Sequence, residues 1–117
     1  MGYYTDYSLD IKGIKSKEVF EKICDKLREE QIIDNVLGEG HYVEDESYAY
    51  FYCMDSVRWY EYERDMLKIS TEFPECTFLL EGHGEDFGDF WREYYNDGNY
   101  EYCQGNIVYE EPRMILW

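Results

Sequence analysis

The sequence predicts an α+β fold, a two-layer sandwich of one antiparallel sheet and two helices. Three observations carry that expectation. Residues 3–12 alternate with a period of two. Trp59, Tyr62, Met66, Ile69 and Phe73 recur at helical steps of 3 and 4. Asn96-Asp97-Gly98-Asn99 joins two aromatic segments, and Asp-Gly at such a junction is a hairpin signal.

Taken in order, Tyr3, Thr5, Tyr7, Leu9 and Ile11 fall on one face of the first segment. Tyr4, Asp6, Ser8, Asp10 and Lys12 fall on the other, which describes a half-buried strand. Gly13 ends it. Ser16 is placed as an N-cap, with Glu18 in the first turn. Val19, Ile23 and Leu27, beside Phe20 and Cys24, form one stripe, so residues 17–30 are an amphipathic helix. Residues 38–47, GEGHYVEDES, read as an acidic loop. Residues 48–54, YAYFYCM, carry aromatics on both faces and read as a central strand covered on both sides.

Asp55 or Ser56 can cap the second helix, which Pro74 stops after Phe73. Residues 76–81 are a third strand, and GHGEDFGD after it is a glycine-rich turn region. Residues 89–96 and 99–109 are two further strands, and the apolar MILW tail packs back or completes an edge. The order is therefore β-α-β-α-β-β-β within one domain, residues 1–117. Both helices cover one sheet face and the other is partly open. A ferredoxin-like arrangement is the natural candidate.

Charge narrows the function. The 27 acids and 11 bases give a formal net charge of −16, far more than a small body needs to stay dissolved. Such a field repels phosphate backbones and anionic membranes. It does not imply disorder, because 44% of residues are hydrophobic and 20% aromatic. The excess is uneven: residues 1–38 hold a net −2 and residues 39–117 a net −14. The dense clusters are Glu44-Asp45-Glu46, Glu61 with Glu63 and Asp65, and Glu81 through Glu93.

The four cysteines, Cys24, Cys53, Cys76 and Cys103, include no CxxC pair. An even count allows two disulfides. The opening residues show neither the basic region nor the apolar run of a leader, so the expectation is reduced, buried thiols in the cytoplasm. Asp6 spoils an acylation start at Gly2.

Site chemistry is sparse. His83 lies among Glu81, Glu85 and Asp86, but the order of oxygens does not fit an EF-hand, and no Cys or His pairs are spaced for zinc. Glu81, Glu85 and Asp89 could supply an acid–base pair. So acidic a chain brings carboxylates together by chance, and no nucleophile, phosphate-loop or nucleotide motif accompanies them. The expectation is no enzyme, no metal and no cofactor. Base stacking on the 14 tyrosines would need a positive groove that 11 dispersed bases do not build.

Protein binding fits better. Tyr42, Tyr48, Tyr50, Tyr60, Tyr94, Tyr95, Tyr100 and Tyr102 cannot all be internal in a domain of this size. A tyrosine face stacks on a guanidinium and a carboxylate binds it bidentately. The expected partner-binding residues are Glu44, Asp45, Glu46, Glu61, Glu63, Glu81, Glu85, Asp86, Asp89, Glu93, Tyr94 and Asp97.

One stretch carries a resemblance. Its residues are Trp59-Tyr60, Glu63, Asp65-Met66, Ser70, Phe73-Pro74, Phe78 and the run Leu80 to Asp86. Gly88-Asp89-Phe90-Trp91, Tyr94-Tyr95, Gly98 and the opening Tyr3-Tyr4-Thr5 complete it. These resemble small proteins of bacteriophages and mobile elements, which are similar to YubB-like domains with a ferredoxin-like fold. The resemblance implies a mobile-element setting, where small acidic proteins often inhibit host defence, and it implies no activity. By size, charge and setting the chain is similar to anti-CRISPR and anti-restriction proteins.

The leading expectation is a non-enzymatic inhibitor, a monomer or homodimer. It would mimic DNA and occupy the basic nucleic-acid groove of a host nuclease such as a CRISPR effector, through its second helix and later hairpins. The alternative is a regulatory interaction module unrelated to nucleic-acid mimicry.

Overall fold

The computed structural model describes residues 4–53, 57, 59, 61–86, 88–108 and 110. Alternation in the first segment gives strand β1 (Thr5–Lys12), on which Thr5, Tyr7, Leu9 and Ile11 are buried. Gly13 ends it with a positive φ. The Ser16 hydroxyl accepts a hydrogen bond from the Val19 N–H at 3.2 Å and starts helix α1 (Lys17–Glu29), which buries Ile23, Cys24 and Leu27.

Strands β2 (His41–Val43) and β3 (Tyr48–Phe51) follow, joined by a 3-10 turn at Glu44–Glu46. Helix α2 (Tyr62–Glu72) leads to β4 (Thr77–Gly84), β5 (Phe90–Asn96) and β6 (Asn99–Gln104). Asp97 and Gly98 both have positive φ, as a two-residue hairpin turn of type I′ requires.

The sheet is open, with six antiparallel strands in the order β2-β3-β1-β4-β5-β6. The registers put the buried side chains in lateral rows. Phe51, Leu9 and Leu80 form one row, and Ala49, Ile11, Phe78 and Tyr95 the next. Both helices pack on that face. Phe20 of α1 stacks on Tyr42 at 5.1 Å, and Tyr62 of α2 stacks on Trp91 at 5.1 Å. Lys26 of α1 pairs with Glu72 of α2 at 3.2 Å, and Lys68 of α2 reaches Glu30 at the end of α1.

Gly82 explains how Trp91 is seated. It lies between Tyr7 and Trp91 across the ladder, and a Cβ there would collide with the indole ring. The missing side chain lets the ring lie over β4 and meet Tyr7 edge-on at 6.1 Å.

The α+β class holds, but the strand count does not, since there are six strands rather than five. The extra strand is β2, inside the expected acidic loop, where a three-residue pairing with β3 suffices. The expectation that residues 48–54 are covered on both sides is also corrected. Among the described residues of this run only Ala49 and Phe51 are buried, and Tyr52 is 65% exposed. Helix α2 starts later than its periodicity suggests. Its N-cap, Glu61, makes no side-chain cap bond, and Trp59 instead lies outside the helix and donates from Nε1 to Asp65 at 2.9 Å. Strand β4 runs to Gly84, so two expected turn glycines belong to it, and β6 ends at Gln104. The expected caps Asp55 and Ser56 and the MILW tail lie outside the described residues.

All four cysteines are free thiols. Cys24 and Cys76 are buried, which pushes each up to about 11, whereas Cys53 and Cys103 are only half-buried.

Replacing Gly82 with Ala forces the Trp91 ring off β4. It is expected to cost roughly 1–3 kcal/mol, the usual range for overpacking. Thermal unfolding checks this, and an unchanged midpoint would show that the ring does not depend on the glycine.

Candidate functional site

The alternation that builds the core also builds the opposite face. Asp6, Asp10 and Lys12 of β1, His41 of β2, Tyr48 and Tyr50 of β3, Leu79, Glu81 and His83 of β4, and Arg92 and Tyr94 of β5 share it by register. Neither helix covers it. A shallow depression is lined by Asp10, Lys12, Glu46, Tyr48, Thr77, Leu79, Arg92 and Tyr94.

The geometry of this face is ordered. The Tyr48 hydroxyl donates to Asp10 Oδ1 at 2.7 Å. Burial first, and then that carboxylate, push the Tyr48 hydroxyl up to about 12. Tyr48 and Tyr50 have ring centroids 5.9 Å apart, Tyr50 and Tyr52 5.2 Å, and His41 stacks on Tyr50 at 5.0 Å. Arg92 Nε donates to Glu81 Oε1 at 2.9 Å, and that bond raises the guanidinium's pKa.

The structure divides the expected partner-binding residues. Glu81 and Tyr94 lie on the open face, and Glu46 at its rim beside Glu44 and Asp45. Asp97, in the β5–β6 turn, is at the same end of the sheet as the 3-10 turn, because β3 begins opposite Lys12 and Thr77. Glu85, Asp86 and Asp89 occupy the β4–β5 turn at the other end, where Gly84 pairs with Thr5. There Glu85 accepts from the Tyr4 N–H at 3.2 Å, and the Asp89 carbonyl accepts from the Gly84 N–H at 2.7 Å. Glu61 and Glu63 belong to the helix layer. The acids therefore do not gather on one surface.

Glu93 departs furthest from expectation. At 3% exposure it is internal, because β5 points it the same way as Trp91 and Tyr95. Tyr95, also expected among the surplus tyrosines, is wholly buried. Sequence reasoning put Asp6 and Asp10 together on the outer face of the first strand but left them, and His41, out of the partner-binding residues.

The Glu93 carboxylate accepts from the Tyr95 hydroxyl and is bonded by Tyr62 of α2. Burial raises its pKa above the ordinary value. The Tyr95 bond opposes the rise, the nearby Glu63 carboxylate adds to it, and the Tyr62 bond opposes it again.

Among the described residues no group of three or more His, Cys, Asp and Glu is placed to hold a metal ion. Among the same residues no helix is long and apolar enough to cross a membrane. Comparison with protein-family models, with curated proteins and with solved structures gave no match. The resemblance to YubB-like domains thus rests on the residues quoted for it.

The raised pKa of Glu93 fixes a pH dependence. The folded chain keeps this proton to higher pH than the unfolded chain does. Its contribution is complete below the ordinary carboxylate value, about pH 4.3. It is lost as pH rises through the raised folded value. Glu93→Gln keeps a carbonyl acceptor and removes the titration. Unfolding midpoints across pH should therefore fall less steeply in the variant and lie above the wild type at neutral pH. Parallel curves would exclude Glu93 as the group responsible.

Proposed function

We propose that this chain is a non-catalytic binding protein that docks its open sheet face on a basic protein surface. The observation that carries the reading is the sheet face left open by both helices among the described residues, on which tyrosines stand beside carboxylates. Tyrosine and carboxylate together match arginine, by stacking and by bidentate hydrogen bonding. The net charge of −16 adds long-range attraction toward any cationic partner.

The most specific form of the reading is the basic groove of a nucleic-acid-binding nuclease, of the CRISPR or restriction type, in the cytoplasm of a bacterial host. The mobile-element setting implied by the resemblance of the Trp59 to Gly98 stretch favours it. A ferredoxin-like core is part of the same proposal. The order β2-β3-β1-β4, with a helix in each crossover, supports it as a split β-α-β pair that β5 and β6 extend. The docking surface is moved from the second helix and later hairpins to the sheet, since the acidic clusters stand at opposite ends.

One observation favours the interaction module unrelated to nucleic-acid mimicry. The described acids form no continuous row comparable to a phosphate backbone.

Binding to purified CRISPR and restriction nucleases across a salt series, with duplex DNA as competitor, separates the two readings. Mimicry predicts affinity that falls with salt and is abolished by DNA. Glu46→Lys at the rim and Glu101→Lys on the open face, where Glu101 of β6 pairs with Tyr94, should each weaken binding by about tenfold or more, equal to about 1.4 kcal/mol. Glu18→Lys and Glu21→Lys on α1 should leave it unchanged. Equal losses at both places would remove the open face as the docking surface. Salt-tolerant binding that DNA does not displace would replace mimicry with the alternative.

A further inference from the structure

We infer that Tyr48, Tyr50 and Tyr52 form a stacking ladder for an extended segment of the partner that carries arginine at alternate positions. The inference rests on the proposed docking of the open face to a basic partner, and it names the element that reads it.

The three tyrosines are every second residue of one strand and its continuation, so their rings follow one another along the chain direction. The centroid separations of 5.9 and 5.2 Å show an unbroken run, and His41 backs its middle ring at 5.0 Å from the neighbouring strand. Alternate side chains of an extended peptide repeat at about 6.6–6.8 Å. An extended ligand laid along β3 shares the two-residue step on which the tyrosines themselves repeat, so its alternate side chains follow the ladder ring by ring.

Charge selects the ligand. Asp10 sits opposite Tyr50 in the β1–β3 register and bonds the Tyr48 hydroxyl. Glu46 lies just before the strand that carries the ladder. Lys12 stands opposite Tyr48, so around the ladder two carboxylates face one base, and a guanidinium stacked on the middle ring finds the Asp10 carboxylate opposite it. Tyr52 is the open end of the run at 65% exposure, free to take a side chain from solution.

The test titrates the full chain calorimetrically with a short synthetic peptide of alternating arginine and threonine. Controls are the glutamine-for-arginine peptide, a peptide with its arginines in one block, and oligothymidylate. The alternating peptide should bind best. Tyr52→Ala should weaken it about tenfold, the loss expected of a stacking anchor. Tyr52→Phe, which keeps the ring, should retain it. Glu85→Lys in the distant β4–β5 turn should change little.

Equal binding by wild type and Tyr52→Ala overturns the ladder, as does an equal loss from Glu85→Lys or a preference for oligothymidylate. If Glu46→Lys and Glu101→Lys weaken the peptide while Tyr52→Ala does not, the ladder fails and the basic-partner reading stands. If no arginine peptide binds, both fail.

Discussion

The register of β1 governs this molecule. It is hydrogen-bonded on both sides, to β3 and β4, and its side chains alternate without a break from Thr5 to Lys12. A slip of one residue would turn Leu9 and Ile11 toward water and carry Asp10 and Lys12 into the core. Every other strand is phased by that alignment. Helix-covered core and open face are therefore one pattern, and the second follows from the first by parity.

Within the core, polarity is confined to a few answered groups. Glu93 is held by tyrosine hydroxyls, and the Ser70 hydroxyl donates to the Leu67 carbonyl while accepting from the Gly98 N–H. Ser70 thereby ties α2 to the β5–β6 turn. The aromatic cluster of Tyr7, Trp59, Tyr62 and Trp91 fills the space between β1, α2 and β5, with ring separations between 5.1 and 6.1 Å. Burying carboxylate and phenols together is tolerable because each hydroxyl supplies the proton the carboxylate needs as its partner.

Elements with strong local signals were legible: the alternation of β1, the Ser16 cap of α1 and the Asp97-Gly98 turn. What was not legible depended on tertiary context. Strand β2 has only three residues, and its neighbours Gly38 to Gly40 and Glu44 to Glu46 carry turn-like chemistry that masks it. The run from Tyr48 to Tyr52 looked apolar on both faces, but tyrosine has a wet end and can tile a surface that leucine would have to bury. Of the expected partner-binding residues, Glu81 and Tyr94 lie on the open face, whereas Glu93, counted with the acids around it, is internal. Phase along β5 distinguishes them, because Glu93 stands between Trp91 and Tyr95 at intervals of two.

The sheet ends on β6, six residues long, whose outer edge pairs with no strand among the described residues. An unpaired edge invites another copy to add to it, and proteins commonly guard against this with charge. Here the guard is global. Two identical copies meeting along β6 would each bring the same strong negative field, with Glu101 and Asp97 at the seam. The same acidity that underlies the proposed attraction to a cationic partner thus opposes edge-to-edge pairing of two copies, and a neutralising partner would relax both effects together.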